Sequence, residues 1–230
     1  MRRWWWGALL LLPVMAQAGP IVNGNFESNT LAPWVGSTDP WLLSDPLVAT
    51  SHGSGISGLA GANDRYAVLD TTFWVGNVIG NTFTSSIAQS VTLGGVTGML
   101  KFSLIDPSDP TTPANNHSGL LLDNIAITPD SAGNDLLTFN YYALTKKDQQ
   151  RNDYFTVSFE GDELFSFNYT SPLLPTNSAN GGGGNQYGPF SYGTGWKTGG
   201  ATVPNVPVVP EPSTWLLLSC GLVPILRRRR

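Results

Sequence analysis

Asp153-Tyr154-Phe155-Thr156-Val157-Ser158-Phe159-Glu160-Gly161-Asp162-Glu163-Leu164-Phe165-Ser166-Phe167-Asn168-Tyr169 is the stretch whose pattern settles the fold class. Phe155, Val157 and Phe159 recur at every second residue, as do Phe165, Phe167 and Tyr169, and side chains two apart on an extended strand share a face. Between the rows, Glu160-Gly161-Asp162-Glu163 is polar and contains a glycine, which suits a tight reversal. The pattern predicts a β-hairpin with both apolar rows turned inward.

The same period extends outward from this hairpin. In Ser86 to Leu93, positions 87, 91 and 93 fall on one face, and Gly94-Gly95 then turns the chain into Met99 to Ile105. Further strands are expected at Ile21 to Phe26, Arg65 to Thr71, Leu120 to Thr128 and Leu136 to Leu144. No sustained 3.6-residue apolar pattern interrupts them. Eight or nine strands in about 180 residues suit an all-β, antiparallel β-sandwich of jelly-roll-like kind. Pro172 to Tyr192, with Gly181 to Gly184 in succession, reads as a mobile loop, and Ala201 to Val209 alternates valine and proline like an extended stalk.

Composition agrees. Glycine (26) and proline (17) are abundant, and charged residues make up 12%, about half of the usual 25%. Six of the twelve basic residues lie at the two ends, Arg2, Arg3 and Arg227 to Arg230. Between residues 19 and 209 fifteen acidic residues face six basic ones, a net charge of −9. Such a body is a poor partner for nucleic acid, whose binding rests on phosphate contacts from lysine and arginine.

The ends read as addresses. Met1-Arg2-Arg3, an apolar run from Trp4 to Met15 and Ala16-Gln17-Ala18 before Gly19 form a secretory signal peptide, 1–18, with its helical core and small residues at the cleavage position. At the other end come Val209-Pro210-Glu211-Pro212-Ser213-Thr214, an apolar segment from Trp215 to Leu226, and Arg227, Arg228, Arg229 and Arg230. The arginines hold the C-terminus in the cytoplasm and leave the rest outside. Twelve residues of helix cover only about 18 Å of a hydrocarbon layer roughly 30 Å thick, so this short hydrophobic helix is a poor permanent anchor. The organisation is therefore a leader (1–18), a sandwich ectodomain (19–200), a stalk (201–209) and a tail (210–230). Cys220, the single cysteine, lies in the tail, so the ectodomain has no disulfide of its own.

The tail's three parts, Pro210-Glu211-Pro212, the hydrophobic segment and the arginine cluster, resemble the PEP-CTERM sorting signal of bacterial surface proteins. That resemblance implies recognition and processing by an exosortase-type membrane enzyme. It also implies transient attachment to the inner membrane and a destination at the cell surface or extracellular matrix of a Gram-negative bacterium, in the setting of exopolysaccharide.

Ile21-Val22-Asn23-Gly24-Asn25-Phe26-Glu27, followed by Trp34, resembles the opening of carbohydrate-binding-module-like jelly rolls, and Leu121-Leu122-Asp123-Asn124-Ile125 resembles their second recurring string. The resemblance implies a structural Ca2+ held by hard oxygen ligands, here Glu27, Asp123 and the Gly24 carbonyl. In that family the Leu-Asp-Asn strand stands near the end of the domain. Some 70 residues follow it here, which points to a circular permutation or to a different sheet pairing.

Trp34, Trp41, Trp74 and Trp196 are the candidate sugar-stacking residues of the ectodomain, because aromatic faces pack on the apolar faces of sugar rings; tryptophan serves cores equally well. The net charge of −9 favours a neutral or cationic glycan. Gly53-Ser54-Gly55-Ile56-Ser57-Gly58 fits G-x-G-x-x-G but reads as a flexible loop, with no helix expected after it. His52 and His117 are the only histidines, and no G-x-S-x-G or H-E-x-x-H string occurs. The expectation is a non-catalytic surface or matrix protein that engages exopolysaccharide. Its rivals are a glycosidase-like enzyme using carboxylates among Glu160, Asp162, Glu163, Asp106 and Asp109, and a purely structural sandwich.

Overall fold

In a computed structural model of the chain, residues 21–40, 45–49, 64–71, 82–107, 118–145, 153–169 and 192–205 are described, with 42, 51–52, 56–57, 59 and 174–175 between them. Their strands in chain order are β1 (Val35–Thr38), β2 (Leu47–Ala49), β3 (Ser51–His52), β4 (Ile56–Ser57), β5 (Tyr66–Asp70), β6 (Thr82–Leu93) and β7 (Val96–Pro107). There follow β8 (Ser118–Pro129), β9 (Asp135–Thr145), β10 (Tyr154–Phe159), β11 (Asp162–Asn168), β12 (Leu174–Pro175), β13 (Tyr192–Gly193) and β14 (Lys197–Val203). The described residues contain no helix. The leader, the sorting tail, Trp41 and Trp74 lie outside the described residues.

Two antiparallel sheets form the body. One has the order β1-β6-β7-β10-β11; the other runs β12-β13-β9-β8-β5-β2, with β14 also on β9. Long neighbours stay in one sheet as hairpins: β6 with β7, β8 with β9, β10 with β11. The β6–β7 turn, Gly94-Gly95, and the β10–β11 turn, Glu160-Gly161, both have φ positive at their two central residues. That is the twist which a two-residue hairpin needs and which glycine adopts without steric cost.

Period two then fills the core. Ile87, Leu100, Phe102, Leu104, Phe155 and Val157 of the first sheet meet Leu69, Leu120, Leu122, Leu137 and Phe139 of the second. Phe139 stands at the meeting point, its ring edge-on to Phe102 at 5.2 Å and to Phe165 at 5.2 Å. The hairpin read from Phe155 to Tyr169 holds both rows inward: Phe155, Val157 and Tyr169 are buried, and Phe165 and Phe167 pack against the core. Phe155 and Val157 stand opposite Phe167 and Phe165; beyond them the register shifts at Val157/Ser158, so that Leu164 is extra and Asp162 stands opposite Phe159. All of β5 is buried, because the outer face of its sheet carries a second apolar cluster of Tyr66, Val68, Leu121 and Leu144 with Trp196 and Tyr142 against it.

Three expectations change. Ile21 to Phe26 is not a strand but a sequence of turns. Asn23 and Phe26 adopt left-handed φ values of 55° and 53°, held there by Asn23 Nδ2 donating to the Thr30 and Ala32 carbonyls at 2.6 and 3.1 Å. Within the glycine string at 53–58, read as a loop, Ile56 and Ser57 form a short strand that pairs with His52 and Ser51. β14 carries the sheet to Val203, three residues into the stretch read as a stalk, because Ala201 and Val203 continue the pairing with Leu137 and Asp135.

Candidate functional site

The two strings that resemble the carbohydrate-binding-module-like jelly rolls come together at a bulge in β8. Asp123 pairs with Asn140, the next regular pair is Ala126 with Thr138, and Asn124 takes a φ of 50°. The extra residue frees the Ile125 N–H from the ladder, and it donates to the Gly24 carbonyl at 2.9 Å. Position 24 must be glycine for this approach, because a Cβ there would run into the Ile125 carbonyl oxygen. The turn that follows brings Glu27 to the start of β5, where its Oε1 accepts the Arg65 backbone N–H at 3.0 Å, and the Arg65 guanidinium bonds Asn29 Oδ1.

Asp123 is 1% exposed. Its Oδ1 accepts the Asn124 N–H at 2.7 Å and its Oδ2 the Asn124 side-chain amide at 3.4 Å. Burial pushes the Asp123 carboxyl up from 3.8 to about 7; the Asn124 N–H opposes the rise, and the charges of Asp64 and Glu27 add to it. Three acidic groups therefore sense one another here. Two of them, Asp123 and Glu27, belong to the recurring strings. Asp64 carries no sequence signal beyond standing just before a strand.

The donor types suit a hard divalent cation, which prefers carboxylate and carbonyl oxygens. The spacing is looser than a finished shell: among the described residues no three acidic, histidine or cysteine side chains stand close enough to hold a metal together. The Gly24 carbonyl and one Glu27 oxygen are already hydrogen-bonded, each with acceptor capacity left.

The tryptophans separate. Trp34 is a core residue, 4% exposed, with Phe26 and Phe102 at 6.1 and 5.9 Å and its Nε1 donating to the Asn23 carbonyl at 3.2 Å. Its ring faces are taken by the core. Trp196 is half-buried on the outer face of the second sheet, edge-on to Tyr66 and Tyr142, each at 5.8 Å.

The carboxylates considered for glycoside hydrolysis do not gather at one place: Asp106 stands far from Glu160, Asp162 and Glu163. Glu160 accepts the Met99 N–H at 2.6 Å near one end of β7. Asp106, at the other end, is 2% exposed and accepts from Thr71 Oγ1 at 3.1 Å. Seven strand residues separate Met99 from Asp106, roughly 23 Å, against the roughly 5 to 10 Å that paired glycosidase carboxylates require. Asp162 and Glu163 are exposed on the β10–β11 hairpin, and Asp109 lies outside the described residues.

Asp106 belongs to a buried polar cluster that sequence reading missed. Thr71 Oγ1 accepts the Ser118 N–H at 3.1 Å, and the Ser118 hydroxyl donates to Asp153. A signal existed: Asp106 falls on the same parity as Leu100, Phe102 and Leu104, which points it inward.

The class of protein defined by these features is a two-sheet antiparallel β-sandwich with a bulge-docked N-terminal loop. No family model, curated protein or solved structure matches the chain.

Proposed function

We propose that the chain is an exported, non-catalytic protein of the cell surface or extracellular matrix, sorted through its C-terminal tail and engaging extracellular polysaccharide. The observation that carries this reading is the pair of terminal addresses, Met1 to Ala18 and Pro210 to Arg230, enclosing a sandwich of net charge −9. The engagement of Glu160 and Asp106 in contacts within the fold supports a non-catalytic role. The partner of the tail is an exosortase-type membrane enzyme, to which the prolines flanking Glu211 present an extended backbone outside the bilayer.

Two measurements test it. Intact mass spectrometry of the native surface fraction should give a protein lacking both Met1 to Ala18 and Trp215 to Arg230; a mass that still includes the tail favours a permanent anchor. Affinity electrophoresis should show retardation in gels cast with a neutral polysaccharide. Equal mobility across a panel of neutral and acidic polymers would remove the glycan from the proposal.

Calcium completes the reading. Glu27, Asp123 and the Gly24 carbonyl would hold the ion, with Asp64 adding charge, and bound calcium would tie the N-terminal loop to β8 in a domain without a disulfide. Its role is structural, and its test accompanies the Asp123 variant below.

A further inference from the structure

Three hairpin turns and the end of the last strand meet at one pole of the sandwich. In the first sheet, β10 finishes beside the start of β7: Phe159 pairs with Leu100, and the Glu160 N–H donates to the Met99 carbonyl at 3.1 Å. The β10–β11 turn therefore stands at the same end as the β6–β7 turn, Gly94-Gly95. In the second sheet, the β8–β9 turn over Asp130 to Asn134 lies where β14 ends, with Val203 opposite Asp135. Asp135 joins the two sheets there, its Oδ2 accepting the Gly94 N–H at 2.7 Å.

The chain leaves the sandwich at this pole and is fastened as it leaves. Val203 and Pro204 press on Gly94 so closely that a Cβ at that position would run into both. The Asn205 side-chain amide then donates to the Gly133 carbonyl. Pro210-Glu211-Pro212 follows after only four residues, Val206 to Val209. Fully extended backbone from Asn205 to Pro210 covers roughly 17 Å. Whatever holds the motif is thus held within that distance of the chain's last fastening.

We propose that this pole is the surface which the sandwich presents to the processing enzyme, and that the short tether sets how far the enzyme can grip the chain ahead of the motif. The inference rests on the reading that the tail is processed, and it adds a contact surface in the folded domain. Charge selects the enzyme over the bilayer as the occupant. The three turns carry Asp130, Glu160, Asp162 and Glu163 and no lysine or arginine, so a surface of anionic lipid repels them. An enzyme that takes Pro210-Glu211-Pro212 as extended backbone has to occupy the space beside the pole, because the tether is shorter than a protein is wide. The β8–β9 turn offers it an exposed, uncharged edge at Ser131, Ala132 and Gly133.

The experiment follows the full chain in its native host and reads, by intact mass spectrometry over time, how fast the surface fraction loses Trp215 to Arg230. Two variants alter the tether: Val206 to Val209 deleted, and the same residues replaced one for one by glycine and serine. Two alter the pole: Ala132→Trp, and Ala132→Trp with a glycine–serine linker of about eight residues after Asn205, which adds roughly 16 Å of reach. The deletion should leave the tail in place, and the length-matched replacement should be processed as wild type is, because the tether acts by its length. Ala132→Trp puts bulk at the contact and should slow processing about tenfold, and the linker should restore the rate. The tether variants leave the sandwich untouched, so they keep the test open should melting show that the tryptophan unfolds it. Processing of the deletion variant at the wild-type rate overturns the proposal, as does a length-matched replacement that keeps its tail. A folded Ala132→Trp processed like wild type overturns the contact. Slowing that the linker does not relieve assigns the pole to another occupant, a second copy or the bilayer, and overturns it as well. A wild type that keeps its tail overturns the processing reading itself, and the pole with it.

Discussion

Phe139→Ala is expected to lower the unfolding free energy by about 3–5 kcal/mol, the cost of emptying a large aromatic site in a close-packed interior. Phe139, on β9 of the second sheet, is 1% exposed and touches three rings of the first: Phe102 on β7, Phe155 on β10 and Phe165 on β11. Its removal opens the sandwich at the layer where the two sheets meet. Domains of this kind have a total stability of only about 5–15 kcal/mol, so the variant should unfold at a markedly lower urea concentration, with an unchanged slope. A cost below about 1 kcal/mol would show that the sheets do not meet through this ring.

Asp123→Asn is expected to raise the stability of the calcium-free protein at pH 8. The Asp123 carboxyl has a folded-state value of about 7 against an ordinary 3.8. Between those values the folded chain holds a proton that the unfolded chain has released, so stability falls as pH rises through this window and levels off above it. The loss is on the order of 4 kcal/mol. Asparagine keeps an oxygen for the Asn124 N–H and carries no charge, so the variant should lose this slope and melt higher than wild type at pH 8. Calcium should narrow the gap: it stabilises wild type, by about 2.7 kcal/mol at one hundred times its dissociation constant, and leaves the variant unmoved. Chelation that does not change wild-type melting, or a variant that responds to calcium as wild type does, removes Asp123 from any calcium site.

The strands were legible where period and punctuation agree. Phe155 to Tyr169 alternates cleanly around Glu160-Gly161, and a shift of one residue would turn every phenylalanine outward, so local pattern and burial enforce the same answer. Ile21 to Phe26 was not legible. Its apolar residues are spaced as in a strand, yet Asn23 bonds carbonyls seven and nine residues away and turns the chain, and nothing within the window announces those partners. Trp34 illustrates a different limit: its composition fits a sugar platform and a core equally, and only the packing of Phe26 and Phe102 decides.

The candidate site was half legible for the same reason. Glu27 and Asp123 stand in recognisable strings, but the bulge at Asn124 and the Gly24 carbonyl that meets it are 100 residues apart in sequence.

The last strand has a mechanical consequence. β14 lies along β9 through seven paired residues, from Lys197 with Tyr141 to Val203 with Asp135, and Asn205 just beyond it bonds the Gly133 carbonyl. A pull on the chain from beyond residue 205, directed along the strand, loads those rungs side by side rather than one after another. The ladder is then strained in shear, and all of it must slip before any of it opens. A sandwich gripped across its first sheet and drawn from its C-terminal end would thus resist through β14, with the hydrogen bonds of β9 acting as a seam under tension.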